Sequence, residues 1–174
     1  MTRVLVVVAH PDLSRSRVNA AWTRALLEDG RATVRVLTDT LVGDGFDAVA
    51  EQRALAAHDR IVLQFPFRWY SCPPLLKTWI DQVLERGWAY GPGGHALEGK
   101  ELTVAVSTWS RASDYTTEGR YGRTMSELLS PFEVTALRVG MSYRPGFHVH
   151  DVGALSDADL AVTAKRLVEW VVAP

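Results

Sequence analysis

Hydrophobic positions fall along this chain in blocks of two kinds. Short, nearly unbroken apolar runs occupy Arg3–Ala9, Ala32–Leu37, Arg60–Phe65, Glu101–Ser107 and Val134–Met141. Their length and their valine and leucine content predict strands covered on both faces. Between them apolar residues recur at helical spacing, first at Val18, Ala21, Trp22, Ala25 and Leu26. The spacing predicts a second helix over Ala48–Ala57 and a third carrying Leu75, Leu76, Trp79, Ile80, Val83 and Leu84, ending at Gly87. A short helix is expected at Thr124–Leu129, and a last one presents Leu160, Ala164, Leu167, Val168 and Val171. Ser14 and Ser16, Asp47, and Ser156 with Asp159 three residues later are the expected helix starts.

Five strands alternating with helices predict an α/β fold, a doubly wound, flavodoxin-like five-stranded parallel sheet of order 2-1-3-4-5 with helices on both faces. No linker or repeat interrupts the pattern, so residues 1–174 are read as a single domain. In such sheets ligands bind beyond the carboxyl ends of the strands, at the point where strand order reverses. That point brings together the turns after the first and third strands, with the turn after the fourth beside them.

Each turn carries its own chemistry. After the first strand, His10, Ser14, Ser16 and two arginines crowd a helix start whose free N–H groups favour an anion, most naturally a phosphate. After the third, Phe67, Trp69 and Tyr70 offer flat apolar surface and Arg68 a fixed charge, before Pro73-Pro74 starts the next helix. Ser107-Thr108-Trp109-Ser110 closes the group and opens a polar loop, Thr108–Arg123, long enough to be a functional one. The glycine-rich stretch Gly87–Gly99 holds Trp88 and Tyr90 in backbone that cannot form a helix. Trp22, Trp79 and Trp170 fall on helix faces and are expected in the core, whereas Trp69, Trp88 and Trp109 fall in loops and need a partner or ligand to cover them.

Composition narrows the class. The chain has 174 residues, 47% hydrophobic and 22% charged, with a net charge of −1, which fits an ordinary globular protein and argues against a nucleic-acid binder. No apolar run reaches the ~18 residues of a membrane span. The run at the N-terminus reads as a strand rather than a secretory signal. Cys72 is the only cysteine, so an intrachain disulfide is impossible and no metal site is expected. A cytoplasmic location is the simplest expectation. There is no Walker pattern and no G-x-G-x-x-G after the first strand.

The segments Ala9-His10-Pro11, Ser16-Arg17-Val18-Asn19, Pro66-Phe67-Arg68-Trp69-Tyr70-Ser71-Cys72-Pro73-Pro74-Leu75-Leu76-Lys77, Gly87-Trp88-Ala89-Tyr90-Gly91 and Leu97-Glu98-Gly99-Lys100 together resemble the NAD(P)H:quinone oxidoreductases of flavodoxin-like fold. The nearest subgroup is that of small bacterial quinone reductases which includes the ancillary flavoproteins of potassium efflux systems. The resemblance implies a bound flavin, FMN or alternatively FAD, with the short C-terminus favouring FMN. It implies that His10, Ser16, Arg17, Val18 and Asn19 hold the phosphate and ribityl side. Pro66, Phe67, Arg68, Trp69 and Tyr70 would lie along the ring, and Ser107, Thr108, Trp109 and Ser110 would close the other side. The family pattern after the fourth strand is Thr-Thr-Gly-Gly, so Trp109 stands where a glycine is expected and must turn its ring away or cover part of the site.

The resemblance further implies an NAD(P)H dehydrogenase (quinone), with NADH or NADPH as donor, a quinone-type acceptor and ping-pong exchange of the two over one flavin face. Tyr115 falls at the position of a family tyrosine that manages charge on the reduced flavin. Tyr121 falls at that of a family histidine, which leaves His95 or His148 as a spatial substitute. Family members are homodimers with the flavin at the interface. An alternative is a regulatory flavoprotein subunit docked on a membrane transporter, with reductase activity secondary.

Overall fold

The computed structural model describes residues 2–173. Its elements are β1 (Val4–Val8), α1 (Val18–Asp29), β2 (Thr33–Val36), β3 (Leu41–Val42), β4 (Gly45–Phe46), α2 (Ala48–Ala56), β5 (Arg60–Pro66), α3 (Pro74–Val83), β6 (Glu101–Ser107), α4 (Met125–Arg138), β7 (Ser142–Tyr143), β8 (Phe147–Val149) and α5 (Asp157–Val172). Strands β3 and β4 form a small separate hairpin inside what the sequence presents as a loop.

Alternation along the central strands divides the core in two. On one face Leu5, Val7, Ala9, Ile61, Leu63, Phe65, Val104 and Val106 pack against α2, α3 and α4 through Leu55, Leu76, Trp79, Leu129 and Phe132. On the other, Val4, Val6, Val8, Val62 and Ala105 meet Trp22 and Leu26 of α1 and Leu160, Leu167 and Val171 of α5. Burying each such side chain contributes about 1.5–3 kcal/mol, so strands apolar on both sides are held only in the middle of the sheet. Trp22 and Trp79 are fully buried, and Trp170 packs at the edge of its core.

The sheet order is β2-β1-β5-β6-β7, with β8 also paired to β6, and every pairing is parallel. It therefore departs from the expected 2-1-3-4-5 in its numbering, because the hairpin intervenes, and in its edge, because two short strands share the fifth position. The expected strand at Val134–Met141 does not exist: most of it is the second half of α4. Leu129, Phe132, Ala136 and Val139 recur on one buried helical face, and this burial overrides the β-branched pair Val134-Thr135. The helix runs past the expected end at Leu129 and takes Pro131 into its interior. Pro131 has no N–H for the Glu127 carbonyl, which accepts instead from Ser130 Oγ at 2.8 Å.

Candidate active site at the carboxyl ends of the strands

Three segments remote in sequence meet beyond the carboxyl ends of β1, β5 and β6. The Ala9 N–H donates to the Gln64 carbonyl at 2.8 Å, the Phe67 N–H to the Ser107 carbonyl at 2.8 Å, and the Thr108 N–H to the Val149 carbonyl at 2.8 Å. These bonds extend the parallel ladder one residue past the strands and fix the turns against one another.

At the first turn, Ser16 caps α1: its Oγ accepts from the Asn19 N–H at 3.1 Å, and Arg17 already has helical backbone angles. The first-turn N–H groups of α1 have no intrahelical carbonyl and carry the positive end of the helix dipole. His10 Nδ1 accepts from the Asp12 N–H at 3.1 Å, so the neutral ring carries its proton on Nε2. Burial, and secondarily the charge of Arg68, push the His10 pKa below its ordinary value. Val18 and Asn19 are buried, while Arg17 is exposed and pairs with Asp157 at 2.7 Å.

Asn19 ties this turn to the third: its Nδ2 donates to Ser107 Oγ at 3.0 Å, while its Oδ1 is buried without a partner. Beside it Gln64, fully buried, donates to the Asn19 carbonyl and to Thr23 Oγ1, and its own Oε1 is also unpartnered. A buried acceptor left unmade costs roughly 1–3 kcal/mol. Asn19 Oδ1 thus holds an acceptor position that no protein group fills.

The second turn is strained. Arg68 and Ser71 exchange both backbone hydrogen bonds, each 2.9 Å, around Trp69 and Tyr70, whose φ angles are +47° and +61°. This is a type I′ hairpin turn, whose two central positions normally go to Asn and Gly. Aromatic residues held there cost on the order of 1–2 kcal/mol each, and such outliers gather at functional sites. Trp69 is 92% exposed at the tip. The Trp69 and Tyr70 N–H groups have no backbone partner among the described residues. Pro66 and Phe67 lie behind them, half-buried, and Arg68 is exposed.

An aromatic cluster lines one side of the crevice. The Phe67 ring centroid lies 6.4 Å from that of Tyr70 and 6.0 Å from that of Tyr115, and Tyr121 lies 5.1 Å from both tyrosines. Tyr115 is buried, whereas the Tyr121 hydroxyl shares a 2.8 Å hydrogen bond with Ser110 Oγ. Desolvation, with Tyr121 as hydrogen-bond partner, raises the Tyr70 pKa. Trp109 turns outward and lies against Gly153, where a Cβ would come within 3.0 Å of the indole. It walls an open hollow of about 340 Å³ with Ser110, Arg111, Asp114, Arg120 and Asp151. Trp88, by contrast, packs half-buried against the core and needs no cover. A separate apolar gap among Leu55, Trp79, Leu97 and Phe132 contains no ionisable group and belongs to the core.

Neither proposed histidine substitute sits against Tyr115. His95 pairs with Glu98 at 2.6 Å in the glycine-rich loop, and His148 Nε2 is buried without a partner. The histidine beside Tyr115 is His150, at 5.4 Å between ring centroids. The alternation His148-Val149-His150 was the available signal, since it sets both rings on one face of a strand.

These features fit a planar ring with a phosphate tail. A helix N-terminus suits the phosphate, an orphaned buried acceptor suits a polyol hydroxyl, and aromatic surface with free backbone N–H groups suits the ring. Among the described residues no group of three or more His, Cys, Asp or Glu is arranged to hold a metal ion. Among them, too, no helix is long and apolar enough to cross a membrane.

Topology and site together define a flavodoxin-like protein. The sequence matches the family model described as "Flavodoxin-like fold" over residues 2–171, and the chain belongs to the flavodoxin-like NAD(P)H oxidoreductase family. It is 44% identical over 169 residues to the uncharacterized NAD(P)H oxidoreductase YrkL of Bacillus subtilis (strain 168), covering 97% of each chain. Among solved structures it is similar to general stress protein 14 of Treponema denticola in complex with FMN, with a TM-score of 0.92, 38% identity and 97% of each chain covered. An NADPH-quinone reductase from P. pentosaceus gives a TM-score of 0.89 at 34% identity, with 99% of each chain covered.

Proposed function

We propose that the protein is an FMN-dependent NAD(P)H oxidoreductase that delivers two electrons to a quinone-type acceptor by a ping-pong mechanism. The carrying observation is the meeting of the three turns around Asn19, with its orphaned Oδ1. The FMN complex of the Treponema denticola relative and the NADPH-quinone reductase relative support it. When bound, the flavin supplies the redox chemistry by accepting a hydride at its N5 and passing on the electrons.

The chain's residues bind and orient. The N–H groups of Arg17 and Val18, with Ser16 and the Nε2–H of His10, hold the phosphate, and Asn19 Oδ1 accepts from the ribityl chain. Pro66, Phe67, Arg68, Trp69 and Tyr70 flank the ring, with the turn N–H groups directed at its polar edge. Ser107, Thr108 and Ser110 close the opposite side, and Trp109 stays at the rim. Tyr115 and Tyr121 are assigned the catalytic tyrosine positions, where they exclude water from the ring face and shape the space for substrates. A homodimer with the site at its interface is supported by the exposure of Trp69, which a second copy would cover.

Initial rates of NADH and NADPH oxidation by the FMN-loaded protein, with a benzoquinone as acceptor, test this directly. Parallel double-reciprocal lines are expected. Intersecting lines reject the ping-pong order, and absence of quinone-dependent turnover rejects the acceptor class. Light scattering on the same sample tests the dimer.

A further inference from the structure

The loop after β6 holds an indole in solvent on a rigid mount. The Thr108 N–H donates to the Val149 carbonyl at 2.8 Å, the Val152 N–H to the Thr108 carbonyl at 3.2 Å and the Asp151 N–H to the Ser110 carbonyl at 3.0 Å. Thr108 Oγ1 adds a bond to the Ser110 carbonyl at 2.9 Å. Trp109 is thus fixed through both of its chain neighbours, with one side of its ring against Gly153, and it is still 77% exposed. Asp151 holds left-handed backbone at φ +53°, a conformation that Asp tolerates better than most residues. Trp109 stands where the resembled pattern has a glycine, so this wall is a feature of this chain.

The hollow that Trp109 walls adjoins the aromatic cluster. Ser110 Oγ shares its hydrogen bond with Tyr121, and the Arg120 guanidinium lies 5.7 Å from the centroid of the same ring. The charges of the hollow are unequally engaged. The Asp114 carboxylate accepts from the Arg111 N–H at 3.0 Å. The Arg111 side chain meets Asp151 at 3.7 Å, too long for a hydrogen bond, so the Asp151 carboxylate keeps lone pairs to offer. Arg120 forms no ion pair among the described residues. A flat apolar face, an uncommitted guanidinium and a carboxylate acceptor therefore surround one space of about 340 Å³. Small-molecule sites occupy roughly 300–1,000 Å³.

We infer that this hollow seats the adenosine diphosphate half of the nicotinamide donor: adenine stacks on Trp109, Arg120 meets the pyrophosphate, and Asp151 accepts from ribose hydroxyls. The inference rests on the proposed function and makes Trp109 and Arg120 the residues that set donor affinity. A neutral quinone gives the guanidinium nothing to pair with. The flavin phosphate has its own place at the start of α1, on a different turn. The base and the anion of the donor are the groups left for the hollow, and Tyr121 is the wall it shares with the aromatic cluster.

The test compares two donors on the FMN-loaded protein at saturating benzoquinone. One is NADH or NADPH, and the other is N-benzyl-dihydronicotinamide, which carries the same hydride without adenosine or phosphate. Trp109→Ala and Arg120→Gln should each lower the ratio of kcat/KM for the dinucleotide to that for the benzyl donor by about tenfold, the size expected for losing a stacked base or a charged contact. The loss should lie in KM. Trp109→Tyr, which keeps a flat ring, should recover most of the ratio. Calorimetry supplies a readout without turnover: ADP-ribose should bind the FMN-loaded protein, with affinity reduced by a similar factor in Trp109→Ala and Arg120→Gln. An unchanged donor ratio in both variants, or an ADP-ribose affinity that neither variant alters, overturns the inference while leaving the proposed function standing. So does an affinity for FAD well above that for FMN that disappears in Trp109→Ala, since the stack would then belong to the cofactor's own adenine. Absence of turnover with either donor in the unaltered protein overturns the proposed function, and the inference with it.

Discussion

The two ends of the same three strands are built to opposite rules. At the amino end the charged side chains of Arg3, Asp59, Arg60, Lys100 and Glu101 all have partners. Arg3 forms a two-pronged ion pair with Asp59, which holds the Asp59 carboxyl well below the usual range. Buried Arg60 pairs with Glu101 at 2.6 Å and donates to the carbonyls of Val171 and Ala173, clamping the end of α5. Burial works against the Glu101 carboxylate, yet hydrogen bonds from Arg60 and Arg144 keep its pKa below the ordinary value. Lys100 Nζ donates to the carbonyls of Ala56 and His58. At the carboxyl end two buried amide oxygens have no partner, two aromatic residues hold left-handed backbone, and Trp69 and Trp109 stand in solvent. One end is built for stability and the other keeps unmet valences for a ligand.

The sharpest way to break that contrast is at Arg60. Replacing it with Met should destabilise the protein by about 3 kcal/mol, the low end for a broken buried pair because Glu101 is partly exposed, while FMN affinity changes less than twofold. Urea unfolding and fluorescence titration measure the two quantities. A parallel loss of FMN affinity would mean that the ends are not independent.

At the other end the signs should reverse. The double substitution Trp69→Asn, Tyr70→Gly gives the turn the residues its geometry prefers and should stabilise the fold by about 1–2 kcal/mol. FMN affinity should fall about tenfold with the loss of aromatic surface. A destabilised variant would remove the argument for stored strain. Ser16→Ala tests the helix start: loss of the cap costs ~1 kcal/mol, and FMN binding should weaken more than riboflavin binding, since riboflavin has no phosphate.

A smaller effect is expected from pH. His10, His148 and His150 all have pKa values lowered by burial. Below about pH 6.5 the unfolded chain therefore binds more protons at these positions than the folded one, and stability rises with pH through that window. Urea midpoints of the apoprotein should be higher at pH 7.5 than at pH 5.5, and the difference should shrink in a His148→Gln, His150→Asn double variant. Equal midpoints at both pH values would contradict the burial of these rings.

The apolar runs were enough to indicate β1, β5 and β6, because strands buried on both faces leave an unbroken signature. That alone located the three turns. The edge of the sheet was not legible. Val134-Thr135 has strand character locally, and only the packing of Phe132 and Ala136 against β5 and β6 decides for helix. Strand β8 is only three residues long; the alternation His148-Val149-His150 is visible in the sequence, but with no recognisable strand to carry it, His150, just past the end of β8 and in contact with Tyr115, is passed over. The turn at Trp69-Tyr70 was hidden for the opposite reason: its residues contradict its geometry, as happens where function overrides local preference.

Hydrogen–deuterium exchange of the apoprotein, with and without saturating FMN, tests the asymmetry most directly. Protection on binding should be confined to residues 10–19, 66–71 and 107–110, with no change at 58–60, 99–101 or 171–173. Protection at the amino end, or none at the three turns, would contradict the account.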